Sequence, residues 1–193
     1  MSKFSKAMQF TAKWEGGLSD DKADKGGLTH YGVCLMFLKD IEATSKRNKD
    51  YLRELGVQLP VTRSSISSLT REQAEKIFRW QFWDSLSCEE YAEPVAVVLF
   101  DMAVNHGRAN AVKLMQRGCN AAGFTPPLVV DSKLGPKTQA AFHAVDAKKL
   151  ALCAIEARVN FYNAIVASNP SQKVFLKGWL NRANDLKKFV QGL

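Results

Sequence analysis

No GxxxxGK(S/T) loop, HExxH pair or GxSxG elbow occurs in the 193 residues, so nucleotide hydrolysis, zinc peptidase and serine hydrolase chemistry have no motif behind them. Histidine is scarce, and the four cysteines (Cys34, Cys88, Cys119 and Cys153) stand far apart without a CxxC pair. His30 and Cys34 have the i, i+4 spacing that helical metal ligands use, but two groups do not close a site and His106 has no sequence-local partner. No metal and no cofactor is therefore expected. A chain of this length buries a sizeable core without staples, so the cysteines are expected to be free thiols from a reducing cytosol. The first residues, MSKFSKAMQFTAKWEGG, carry no uninterrupted apolar run and no small-residue cleavage pattern. Elsewhere Lys or Arg interrupts the apolar stretches before the roughly 18 residues a membrane span requires. These absences predict no signal peptide and no membrane insertion, and place the chain in the cytoplasm of the cell that makes it. Acidic residues are the minority charge: 19 Asp and Glu stand against 27 Lys and Arg, a net charge of +8. Such a surface attracts polyanions, whether nucleic acid, anionic lipid or an acidic cell wall, and charge does not choose among them.

What is present reads as helix. Phe4, Met8 and Ala12 repeat at i, i+4, i+8 and predict a helix over 3–15, ended by Gly16-Gly17. The polar stretch from Leu18 to Gly32, containing SDDKADKGG, has the turn residues of a short hairpin or ordered loop. From Tyr31 to Gly56 helical periodicity returns with a basic middle, and 57–68 reads as a connector. Thr70 and Gln73 form a capping-box signature for a helix to about Trp83. PVAVVLFDMAV, from Pro94 to Val104, is apolar nearly all round, the mark of a helix buried at the centre of a helical fold. Helices over about 109–121, 136–145, 147–167 and 171–191 follow, separated by Gly123, Gly135 and Asn169-Pro170. The expected fold class is mainly α, with a small β-hairpin or loop region near the N-terminus.

The polar loop gains interest from what its residues could do together. Hydrolysis of a glycosidic bond needs a carboxylic acid to protonate the leaving oxygen. In an inverting enzyme a second carboxylate, about 6.5–9.5 Å away, activates water on the opposite sugar face. Glu15 closing a helix and Asp24 in the turn beyond it can be held at such a separation, and Thr29 adds a hydroxyl able to orient the water. Taken alone, a glutamate at a helix end is an ordinary solvated residue.

The surrounding pattern is more specific. Trp14-Glu15-Gly16-Gly17-Leu18, then Asp24, then Gly26-Gly27-Leu28-Thr29-His30-Tyr31-Gly32-Val33, resembles the signature of glycoside hydrolase family 108, in the lysozyme superfamily. The spacing of Glu15, Asp24 and Thr29 also resembles the Glu, Asp, Thr triad of the T-even phage lysozymes, with the second interval one residue shorter here. Thr70-Arg71-Glu72-Gln73-Ala74 and Gln81-Phe82-Trp83 look like the rest of the family 108 module. Leu99 to Gly107, Lys113 to Gln116, Leu134 to Thr138 and Phe175 to Arg182 look like the predicted peptidoglycan domain that follows it. Leu18, Lys22 and Ala23 depart from the family's usual aromatic and Pro-containing turn. Ser132 stands where glycine is common, a change expected to cost little.

The resemblance implies a lysozyme-like fold, with a catalytic module over 1–92 and a helical peptidoglycan-domain-like module over 93–193. No Pro/Gly/Ser-rich linker separates residue 90 from the helix at 94, so the two are expected to pack as one globule. It implies Glu15 as general acid, Asp24 as candidate base and Thr29 as the water-positioning residue of an N-acetylmuramidase. Asp20, His30, Tyr31 and Asn105 are candidate substrate contacts. The implied partner is bacterial peptidoglycan, met by a monomeric phage-type endolysin that acts after a holin opens the membrane, with no nucleic acid involved. Two rivals remain at this level: a lytic transglycosylase using Glu15 alone, and a non-catalytic basic helical module that binds wall or nucleic acid. Trp80, Phe82 and Trp83 could stack on sugars but at helical spacing read as core. The basic run Lys46-Arg47-Asn48-Lys49 reads as solvated surface.

Overall fold

A computed structural model of the chain describes residues 1–15 and 28–193. The architecture is mainly α with a two-stranded antiparallel hairpin near the N-terminus, the fold class expected. By its internal contacts the chain divides into two compact units, Thr11–Gln81 and Met1–Phe10 with Phe82–Leu193.

Helix α1 spans Lys3–Ala12 and stops short of the expected residue 15. The Trp14 amide donates back to the Thr11 carbonyl at 2.9 Å, a tighter i, i+3 turn that takes Glu15 out of the helix. In the unit Thr11–Gln81, strands β1 (Thr29–His30) and β2 (Val33–Cys34) pair with Thr29 opposite Cys34 and His30 opposite Val33. Tyr31 and Gly32 connect them with φ of +49° and +80°. Positive φ at both central positions is what a two-residue type I′ hairpin requires. The helix expected from Tyr31 therefore starts only at α2, Leu35–Thr44. It is broken from α3, Lys46–Glu54, by Ser45, whose extended backbone (φ −163°) frees its Oγ to accept the Asn48 amide at 3.1 Å. An N-cap serine thus overrode a continuous helical period. The connector at 57–68 contains a short helix, α4 (Arg63–Ser67). Helix α5, Arg71–Phe78, begins on the expected capping box: Thr70 Oγ1 accepts the Gln73 amide at 3.1 Å, and Gln73 Oε1 accepts the Thr70 amide at 2.9 Å. The same glutamine donates from Nε2 to the Leu55 carbonyl, tying the start of α5 to the end of α3. A wider π-type turn, Arg79–Trp83, continues the helix. Leu38, Leu52, Ile66, Ile77 and Phe78 form the core of this unit.

The other unit is organised around α6, Glu93–His106, in which every residue from Val95 to Ala103 is buried, as its all-round apolar sequence predicts. Phe4 of α1 meets Trp83 and Phe100 edge-on, with ring centroids 5.5 and 5.7 Å away. Helices α7 (Arg108–Ala121), α8 (Pro136–Ala144), α9 (Ala147–Ser168) and α10 (Lys173–Gln191) complete it. A Cβ on Gly118 of α7 would fall 2.8–2.9 Å from the Ala154 backbone and side chain, so only glycine lets α7 and α9 approach this closely. At 22 residues α9 is long and apolar enough to cross a membrane, which the sequence reading did not expect of any segment. Here α6, α7 and α10 pack against it. Arg158, buried on α9, donates to the buried Asp101 of α6 at 2.6 Å, and Arg182 of α10 donates to the other Asp101 oxygen at 2.7 Å.

The segment between α7 and α8 has little regular structure and is held by two amide side chains of α7. Asn120 accepts from the Leu128 amide and donates to its carbonyl. Gln116 Oε1 accepts the Asp131 and Ser132 amides. Ser132 has φ +67°, which explains why glycine suits this place. Contrary to the expectation of little cost, a side chain in the left-handed region costs on the order of 1 kcal/mol. All four cysteines are free thiols, as expected.

Candidate active site

Glu15 follows the turn that ends α1, half-buried, and its side chain lies against the hairpin turn. A Cβ built on Gly32 would stand 2.7 Å from Glu15 Cβ, 3.2 Å from Glu15 Cγ and 3.1 Å from Phe78 Cζ. The hydrogen of Gly32 is thus the only substituent that fits between the hairpin, the stem of the glutamate and the ring from α5. The stem of Glu15 therefore lies against Gly32 across the polar loop, a contact of which the sequence spacing gives no hint. Gly32→Ala is expected to lose about 1–2 kcal/mol from its positive φ. If Glu15 is the acid that the family resemblance implies, displacing it on the order of an ångström is also expected to cut wall-clearing rate about 100-fold. Thermal unfolding and turbidity loss on purified walls measure the two effects, and an unchanged rate in a folded Gly32→Ala protein would remove the positioning role.

The same hairpin carries Thr29, His30 and Tyr31, all half-buried. His30 Nδ1 donates to the Ile66 carbonyl at 3.2 Å and its ring stacks on Tyr31 with centroids 4.0 Å apart. The Arg71 guanidinium lies 5.5 Å from the Tyr31 ring centre. Tyr31 is therefore held in place by neighbours from its own turn and from α5. The i, i+4 metal-ligand spacing of His30 and Cys34 does not survive folding. In a hairpin that pairs Thr29 with Cys34 and His30 with Val33, the two side chains point to opposite faces. Cys34 Sγ instead accepts the Phe37 amide at the start of α2. Asp24 and Asp20 lie outside the described residues.

Asn105 belongs to the other unit, exposed near the end of α6. Its Oδ1 accepts from Arg158 Nη2 at 2.9 Å and from the Tyr162 hydroxyl at 3.1 Å. Tyr162 also accepts from Arg158 Nε and lies 3.2 Å from His106 Nε2. The acceptor oxygen of Asn105 is thus engaged within the protein. Burial, reinforced by the Arg158 charge, pushes the His106 imidazole down to about 3. A histidine with a depressed folded-state value binds its proton less readily than the unfolded chain does, so stability falls as pH drops from about 6.5 towards about 3. His106→Gln is expected to flatten this part of a urea-denaturation pH profile. The change is expected to stay below the about 1.4 kcal/mol per pH unit that one fully shifted group gives.

Sequence reading missed Gly32, Phe78 and Arg71 as neighbours of the hairpin, and the ion pairs of Asp101. The only local signal was the Tyr31-Gly32 dipeptide, compatible with a hairpin turn.

The sequence model of the family described as Glycosyl hydrolase 108 matches residues 8–107, and that of the Predicted Peptidoglycan domain matches 110–184. No curated protein matches the chain. Among solved structures, that of Brucella abortus SagA is similar, with a TM-score of 0.71 at 25% identity, covering 98% of this chain and 94% of that one. With Glu15 seated on a glycine-floored hairpin inside the first of these matches, the chain belongs to the glycosyl hydrolase 108 family, as a glycoside hydrolase acting on peptidoglycan with a predicted peptidoglycan domain after its catalytic region.

Proposed function

We propose that the protein is an N-acetylmuramidase that cleaves the β-1,4 bond between N-acetylmuramic acid and N-acetylglucosamine. The observation that carries this reading is the packing of Glu15 against Gly32, in the hairpin turn that also bears Thr29 and Tyr31. A general acid must be held rigidly at the leaving oxygen. Gly32 bears directly on the stem of Glu15 and leaves no room for a side chain of its own. Its carboxyl proton passes to the glycosidic oxygen as that bond to the anomeric carbon breaks. Asp24 accepts a proton from water, whose oxygen bonds to the same carbon, and the Thr29 hydroxyl orients that water. The biological reading that goes with this chemistry is a monomeric phage-type endolysin, kept in the host cytoplasm until a holin opens the membrane. Peptidoglycan is its substrate, and nucleic acid plays no part.

Mass spectrometry of murein digested by the protein tests the reaction. Free reducing muramic acid ends, with the mass of one added water, are expected. If the new ends are 1,6-anhydromuramic acid, the muramic 6-hydroxyl rather than water is the nucleophile, and the protein is a transglycosylase.

A further inference from the structure

Two features that read as bland in the sequence meet in one place. The basic run at the start of α3 looks like solvated surface, and Trp80 looks like core, yet both line a single groove of about 550 Å³ in the unit Thr11–Gln81. Its walls are Lys46, Arg47, Asp50, Tyr51, Glu54 and Trp80. Tyr51 and Trp80 are half-buried and pack with ring centroids 4.2 Å apart at 40°, giving the groove a bent aromatic wall. Lys46 and Arg47 are exposed and pair with no acid among the described residues, whereas their neighbours do: Lys49 with Glu42, Arg53 with Asp50. Trp83, by contrast, is fully buried and is the core residue the sequence predicts. The groove is separate from the Glu15 position. None of Glu15, Gly32 and Phe78 lines it.

We infer that this groove is a second glycan-binding site, which takes an acidic stretch of peptidoglycan strand away from the reacting bond. The identity of the ligand rests on the glycosidase reading above. Aromatic faces suit the C–H faces of pyranose rings, and the volume lies in the range of small-ligand clefts, about 300–1,000 Å³. Two unpaired cations at the rim suit carboxylates, which peptidoglycan carries on the peptides attached to its muramic acid residues. Asp50 and Glu54 in the wall can accept from sugar hydroxyls. They oppose the dense charge of a polyphosphate backbone, which favours glycan over nucleic acid. A hydrolase that grips the strand at a second point gains by effective concentration, because the bond and the site remain together between cleavages.

Co-sedimentation with intact purified sacculi tests this, using the full chain carrying Glu15→Gln so that the wall is not consumed. Adding Lys46→Gln and Arg47→Gln is expected to weaken binding about fivefold, since each solvent-exposed charge contact contributes modestly. Trp80→Leu, which leaves the charge intact, is expected to weaken it at least as much, with thermal unfolding monitored because this side chain is half-buried. Lys173→Gln with Lys177→Gln removes the same charge from exposed positions on α10 and is expected to change binding less than about twofold. Unchanged binding in the Lys46 and Arg47 variant overturns the inference, as does an equal loss in the α10 variant, which would mean attraction by net charge alone. A single-stranded DNA oligonucleotide titrated against the same variants gives the other overturning result: loss of DNA binding with sacculus binding intact would make the groove a nucleic-acid site. Digestion of sacculi by the Glu15→Gln protein itself would refute the glycosidase assignment of Glu15 and leave the binding comparison standing.

Discussion

Glu15→Gln is expected to slow the clearing of purified cell walls by about 10²–10⁴-fold, the range that a positioned general acid supplies. Glutamine keeps the Cβ and Cγ that rest against Gly32, so the stem keeps its packing on the hairpin turn and thermal stability is expected to hold. What disappears is the proton that the leaving oxygen needs. Glu15→Asp is the more demanding variant, because it keeps the acid but withdraws it by one methylene from a stem that Gly32 positions. Turbidity loss over time, with circular dichroism as a control for folding, measures both. If the glutamine variant clears walls at the wild-type rate, another residue is the acid.

The second large effect concerns stability. Asp101 is fully buried at the centre of α6 and touches one arginine from α9 and one from α10. Burial alone would raise its carboxyl, but the Arg182 and Arg158 guanidinium charges, with their hydrogen bonds, hold it below the usual carboxylate range. Arg158→Met removes the donor to Asp101 Oδ2 and the bonds to Tyr162 and Asn105, stripping a buried charge of one of its two arginine partners. The expected loss is about 3–5 kcal/mol in urea unfolding, the range measured when one member of a buried pair is deleted. A loss under about 1 kcal/mol would mean that solvent or repacking compensates the carboxylate. The pH dependence has a definite sign. Because the folded value is depressed, the contribution is complete above the unfolded carboxyl value near 4 and is lost as pH falls through the folded one. In Asp101→Asn that acid-limb loss is expected to vanish, at the cost of the carboxylate charge that both buried arginines face.

This cluster shows where sequence reasoning ends. Arg158 and Arg182 lie 57 and 81 residues from Asp101 in the chain, and each of the three alone reads as an ordinary charge at a helical position. Nothing local distinguishes a charge that will be buried with its counter-ion from one that will face water. Gly32 is similar: its place in a hairpin was compatible with the sequence, but its contact with Glu15 depends on how the chain returns after the polar loop. Trp80 is a third case. Helical spacing placed three aromatic residues in the core, yet only Trp83 of them is fully buried, while Trp80 faces a groove whose other wall comes from α3.

Local signals were sound where the governing interaction is itself local. The Thr70 and Gln73 capping box formed as expected, because both of its bonds close within three residues. Helix α6 is buried all round because no register of so apolar a segment could present a polar face to water. They failed where neighbouring choices compete: Tyr31 to Cys34 fits a helical period but pairs as a hairpin, since a turn with two positive φ values and a cap at Ser45 divide the stretch. By itself, then, the sequence determined the helical class, the Thr70 and Gln73 capping box, the central helix and the candidate acid with its family. Only the tertiary structure decided what floors Glu15, which charges are buried together and which aromatic residue meets the basic run. The reason is range: caps and periods are set within a turn or two of chain, whereas packing partners and burial are set by segments that meet only when the chain has folded.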